Sequence, residues 1–183
     1  MKFRPDSALL LAGAALFCIA PLRGDSAPAS APVPASTPAA VPAAAALPYD
    51  DKADAPRDLA AALNAARRDG RLVLLDFGAN WCPDCRALGA LFNDPKVKPF
   101  LDAHYILVPI DVGRWNKNME LSKQYGEPTQ AGIPAVVILG GDGRQHASTG
   151  EGALANARTA TPEQVLALLQ RWATPAPSSA PAP

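Results

Sequence analysis

Two cysteines set three residues apart carry the reactive chemistry this sequence offers. They stand in Trp81-Cys82-Pro83-Asp84-Cys85, and on a helical turn that spacing brings both sulfurs to one face, within bonding distance. Leu88 and Phe92 follow at helical intervals, so the pattern predicts a helix over 82–92 with the cysteines in its first turn. Unpaired N–H groups and the helix dipole favour an anion at that end and lower the pKa of a thiol placed there. Only the thiolate attacks a disulfide. Cys82, at the helix mouth, is the expected nucleophile. Cys85 shares its face with Leu88 and Phe92 and is the expected buried, resolving thiol. The chemistry such a pair would perform is thiol–disulfide exchange, with a reversible Cys82–Cys85 disulfide as the redox group and no separate cofactor expected.

Zinc is the main rival for such a pair, and a structural zinc site needs four ligands. The chain has three cysteines and two histidines. His104 and His146 fall on separate elements without ligand spacing, so no metal is expected. A purely structural disulfide is the other rival, but a small domain stapled by disulfides carries more cysteines at wider spacings. Cys18 lies in a different kind of segment.

That segment is 1–24. Lys2 and Arg4 precede an apolar or small run from Ala8 to Ala20, shorter than the roughly 20 apolar residues that span a bilayer. A secretory signal is favoured over an uncleaved anchor, with cleavage after Ala20 or after Ala29, and either cut removes Cys18. Residues 25–48 are almost wholly Ala, Pro, Ser and Val, a composition that cannot bury enough apolar area to order itself. This stretch is the expected disordered, semi-extended linker, and 173–183 is a tail of the same kind. The folded domain is expected over 49–172. The 17 basic and 17 acidic side chains cancel, so nothing here favours nucleic acid, and membrane contact is expected only through an uncleaved signal.

Within the domain, elements alternate. Pro56–Asp69 reads as a helix capped by Asp54 and ended by Gly70. Leu72–Phe77 is an apolar strand broken only by Asp76, as expected for a strand covered on both faces. A short helix through Leu101, a strand over Tyr105–Ile110 and a helix over Asn116–Tyr125 follow. Ala135–Leu139 and Arg144–Ser148 form a hairpin around Gly140-Gly141-Asp142-Gly143. The last helix starts at Thr161, with Pro162 inside it and Gln164 completing a capping box. This order predicts an α/β fold, a central mixed sheet with helices on both faces.

The stretch from Leu74 to Cys85 (LLDFGANWCPDC) resembles the thioredoxin signature, and Gly132-Ile133-Pro134 resembles that family's cis-proline loop. Asn93-Asp94-Pro95-Lys96-Val97 is similar to a segment in the branch that includes the C-terminal periplasmic domain of the thiol:disulfide interchange protein DsbD. The resemblance covers about 72–172 and implies a thioredoxin-like fold. It implies that Trp81 and Pro83 border the substrate surface, that Pro134 is cis and faces the dithiol, and that the Ile133 backbone pairs with an extended substrate segment. Asp76 matches the family's buried proton-relay carboxylate. A desolvated carboxyl has a raised pKa and exchanges protons near neutrality; the other reading of Asp76 is an acid at the strand end facing water.

The departures from thioredoxin are local. Leu107 stands where thioredoxin commonly has a lysine near the buried acid, and Gly78 where it often has a tryptophan. The approaches Gly126–Gly132 and Gly150–Ala160 are longer and are expected to border the dithiol. Trp115, in a polar loop, either packs or anchors a partner. Asp84, beside Cys82, is expected to oppose the thiolate and make the couple reducing, unless it points into water. The resulting expectation is an exported oxidoreductase of the periplasm or cell envelope. It would reduce disulfides in exported proteins and be recharged by a membrane thiol donor, because that compartment is oxidising. Oxidase or isomerase direction, and a non-catalytic binding module, are the alternatives.

Overall fold

The computed structural model describes residues 47–173. The signal reading at 1–24, Cys18, nearly all of the linker and the tail after Ala173 lie outside the described residues. Helix α1 (Ala55–Asp69) is capped by Asp54, whose carboxylate accepts from the Arg57 N–H, and closes on Gly70 in the left-handed conformation. Strand β1 (Leu72–Gly78) leads into α2 (Pro83–Phe92), then α3 (Lys98–His104), β2 (Tyr105–Asp111), α4 (Met119–Gln124), β3 (Ala135–Leu139), β4 (Gln145–Ser148) and α5 (Pro162–Ala173).

The four strands lie in the order β2-β1-β3-β4. β1 runs parallel to β2 and antiparallel to β3, and β3 pairs with β4 as an antiparallel hairpin. The sheet is therefore mixed, with β1 and β3 buried at its centre. Alternation along β1 divides the core: Val73, Leu75 and Phe77 pack with Leu59, Ala62 and Ala66 of α1, while Leu74 packs with Leu88 and Phe92 of α2 and Val165 and Leu169 of α5. The Tyr105 hydroxyl donates to the Leu169 carbonyl at 2.6 Å, tying β2 to α5. Thr161 and Gln164 form the expected reciprocal cap at the start of α5.

Most boundaries lie within a residue of those expected, and two of the differences have a clear physical reason. Helix α4 begins at Met119 rather than Asn116, because Gly113, Trp115 and Asn118 all take positive φ and hold 113–118 in turns. Cys82 is the N-cap of α2 rather than its first helical residue, with extended φ −82 and ψ 118. The long approach Gly126–Gly132 folds into a 3₁₀ turn over Pro128–Ala131, and another 3₁₀ turn occupies Ala157–Thr159 in the second long loop.

Candidate functional site

The N-cap position of Cys82 sets the geometry of the dithiol. Its sulfur accepts the Cys85 backbone N–H at 3.2 Å, taking one of the donors that a helix leaves unpaired at its start. The two cysteines are joined as a disulfide with Cα atoms 5.3 Å apart. Cys82 is 5% exposed and Cys85 fully buried, so the residue at the mouth is the one an approaching disulfide reaches first. The Cys82 sulfur lies 3.5 Å from the Ile133 carbonyl oxygen, and the Ile133–Pro134 peptide bond is cis. The structure thus brings together Cys82, Cys85, Ile133 and Pro134, which lie far apart in sequence. Pro83 is exposed on the first turn of α2.

Trp81 is 42% exposed and is held rather than loose. Its indole N–H donates to the Gly113 carbonyl at 2.7 Å, and the Arg114 guanidinium sits 5.3 Å from the ring centroid. Trp115 is 45% exposed, on a left-handed backbone with φ 64.

Asp76 follows the parity of Leu74 and points under α2 rather than into water. It is 2% exposed, which removes the solvent-facing reading. Oδ2 accepts the Tyr49 hydroxyl at 2.9 Å, and Oδ1, also buried, has no hydrogen-bond partner. Burial pushes the carboxyl up to about 7, partly offset by the Tyr49 hydrogen bond, which favours the charged form. Tyr49 itself is pushed up strongly by burial and by the Asp76 charge, so it stays a proton donor. The side chain reaches its place because residue 78 is glycine: a Cβ there would run into the Tyr49 phenol and lie 3.0 Å from the Cys85 sulfur. Asn80, two residues before Cys82, clasps the Tyr49 backbone from both sides, accepting its N–H at 3.2 Å and donating to its carbonyl at 2.7 Å.

Asp84 does not point into water, the second of its two readings. It is buried, and Oδ1 accepts both the Arg158 backbone N–H at 3.0 Å and the Arg158 Nε at 3.1 Å. The backbone N–H, then the guanidinium, hold its carboxyl below the usual range. Its negative charge is therefore paired within the second long loop, an arrangement that should soften its push against a Cys82 thiolate. The Arg158→Ala variant removes the cation and keeps the backbone donor. Its dithiol potential, measured against glutathione, is expected about 10 to 20 mV more negative, the size of a partly exposed ion pair. An unchanged or more positive potential would show that Asp84 does not act on the sulfur.

Tyr49, Asn80 and Arg158 were not found from the sequence. Only the glycine at 78, an absent side chain in an otherwise bulky strand, marks the place that Tyr49 fills. Among the described residues there is no group of three or more His, Cys, Asp or Glu side chains able to hold a metal ion, and no helix long and apolar enough to cross a membrane.

A family model described as thioredoxin-like matches residues 54–141. A solved structure of a disulphide isomerase from Xylella fastidiosa Temecula1 is 43% identical to this chain, which covers 98% of it, with a TM-score of 0.68 over 70% of the chain here. The chain belongs to the thioredoxin-like family. Among curated relatives, the thiol:disulfide interchange protein DsbD of Pseudomonas fluorescens is 33% identical over 123 residues, 64% of this chain and 18% of that protein. Thioredoxin H4 of Arabidopsis thaliana is 37% identical over 49 residues, 27% of this chain and 41% of that protein. The chain thus spans well under half the length of these two relatives. The family match ends before β4, so Arg158 and α5 lie beyond it, and Tyr49 lies ahead of it.

Proposed function

We propose that this thioredoxin-like chain is an exported thiol–disulfide oxidoreductase that reduces disulfides in extracytoplasmic proteins. One observation carries the reading: a sulfur at the N-cap of α2 lies beside the Ile133–Pro134 turn, with a second, fully buried sulfur behind it. In the reduced chain the Cys82 thiolate attacks a substrate disulfide, forming a mixed disulfide and releasing one substrate thiolate. The Cys85 thiol then gives its proton to the Asp76 carboxylate and its sulfur attacks Cys82, releasing the second substrate thiolate. Two electrons pass to the substrate, and the Cys82–Cys85 disulfide remains.

Trp81 and Pro83 border this point on the α2 side, and the Ile133 backbone offers pairing to an extended substrate segment. A membrane thiol donor would return the electrons, because an oxidising compartment cannot recharge the pair. The periplasm or cell envelope is the compartment that fits such a cycle. Isomerisation begins with the same attack by Cys82. The name of the Xylella relative and the pairing of Asp84 with Arg158 both favour that direction as the second reading.

The test is the dithiol potential together with the redox state of the pair in intact cells. A reductase is expected nearer the thioredoxin value of about −270 mV than the about −120 mV of the strong periplasmic oxidant, with the pair substantially reduced in cells. A fully oxidised pair in cells would end the reductase reading.

A further inference from the structure

Tyr49 precedes the first helix, outside the thioredoxin-like match, yet its hydroxyl bonds the buried carboxyl and its phenol borders the same point beside Gly78 as the Cys85 sulfur. We propose that Tyr49 is a positioning residue for the proton step: its hydroxyl binds Oδ2 of Asp76, leaving Oδ1 as the oxygen that takes the Cys85 proton. The Asn80 clasp fixes Tyr49 for this task. The proposal rests on the reading of Asp76 as relay and adds a residue to it.

Three observations converge on Tyr49. The carboxyl has one oxygen paired and one buried and free, which is the state a proton acceptor needs. The missing side chain at Gly78 lets the phenol and the Cys85 sulfur border the same point. Finally, both backbone hydrogen bonds of the clasp come from a residue in the active-site loop, so residue 49 is registered to the dithiol rather than to the chain before it. The groups around this pair are few. Cys85 and the exposed Arg86 come from α2, and Arg86 lines the same cavity as Asp76. On β2, Leu107 and Pro109 bring no charge, and Asp111 at its end acts on Tyr49; on β3, Val136 is the residue paired with Asp76.

In the mixed disulfide the S–H bond of Cys85 breaks and an O–H bond forms at Oδ1 of Asp76. The freed electron pair on the Cys85 sulfur makes the S–S bond to Cys82, and the Cys82–substrate bond breaks with its pair leaving on the substrate sulfur. Tyr49 keeps its own proton throughout. Its contribution is a charge-assisted hydrogen bond, which holds part of the Asp76 population ionised at neutral pH inside an apolar pocket.

The experiment takes the full-length chain with Cys18→Ser as its background, reduces it and mixes it with equimolar dithiobis(nitrobenzoate), which releases one chromophore on attack by Cys82 and a second on resolution by Cys85. The second phase is followed against pH. Tyr49→Phe keeps the ring and removes the donor. The acid limb of its resolving phase is expected to move up by about one pH unit, with the rate at pH 7 falling up to about tenfold and the alkaline plateau retained. A ¹³C NMR titration of the Asp76 carboxyl in the oxidised chain should move the same way. Asn80→Ala is expected to give a smaller shift of the same sign.

Superimposed profiles for wild type and Tyr49→Phe overturn the proposal, as does a lowered plateau with an unmoved midpoint, which is mere loosening. If the acid limb survives in Asp76→Asn, the relay reading itself fails and takes this assignment with it. That outcome is distinct from a limb that needs Asp76 and ignores Tyr49.

Discussion

Replacing Cys82 with serine is expected to lower the catalysed reduction of insulin disulfides by a thousandfold or more, on the order of what loss of a catalytic nucleophile costs. A serine hydroxyl at the same N-cap accepts the same helix N–H but stays protonated and forms no mixed disulfide. Cys85→Ala gives a different loss. The first attack survives, because Cys82 keeps its position beside Ile133, and the chain stops with its substrate attached. Mixed disulfides captured by Cys85→Ala in living cells, resolved on a non-reducing gel and identified by mass, give the substrates directly. Capture by Cys82→Ser in place of Cys85→Ala would reverse the assigned order of attack. Insulin reduction unharmed in both variants would remove the dithiol from the function.

Asp76→Asn is expected to make the protein more stable in alkali and no more stable in acid. The Asp76 carboxyl titrates at about 7 in the folded chain against its ordinary 3.8. The folded state therefore binds the proton more tightly than the unfolded one. As pH rises from below 3.8, the unfolded chain gives up the proton first, and stability falls until the folded carboxyl has also ionised. Above about 7 the full penalty is present, on the order of 4 kcal/mol. Asparagine carries no charge and removes it. The new amide places an N–H where Oδ1 now has no partner, which returns about 1 to 3 kcal/mol. The net expectation is a gain of about 2 kcal/mol at pH 8, turning into a loss of about 1 to 2 kcal/mol at pH 4, where the charge penalty is gone and the amide cost remains, read from urea unfolding of the oxidised chain. A change of the same size at both pH values would count against a buried charge as its cause. The resolving step should slow in the same variant, so a stabilising substitution would be a functional loss.

Much of this site could be read from local pattern. Cys82 and Cys85 declare themselves by spacing, and Leu88 and Phe92 by the helical period that buries one sulfur more than the other. Asp76 is legible because it interrupts an apolar strand, and strand parity decides which side it faces. Helix ends announced by Asp54, Gly70 and the Thr161/Gln164 box stand where short-range chemistry puts them. What could not be read depends on pairing across the fold. Tyr49 and Asp76 are 27 residues apart, and Asp84 and Arg158 are 74 apart. No periodicity reports such partners. Asp84 shows the cost of leaving them out: by itself it is a charge beside a thiolate, and with Arg158 it is half of an ion pair. The start of α4 is illegible for another reason, since three positive-φ residues, two of them not glycine, override the propensity of 116–118.

The Gly78 opening bears on how such domains are redesigned. Bulk at that position and a tyrosine at 49 exclude one another, because both claim the same space beside Cys85. A chimera that grafts a tryptophan-bearing signature loop from a thioredoxin onto this scaffold would evict the phenol. Transplanting this loop without residues 47–50 would leave a hollow above the acid. The dithiol segment and the stretch ahead of α1 therefore make one exchangeable part, discontinuous in sequence, and recombination breakpoints belong outside both.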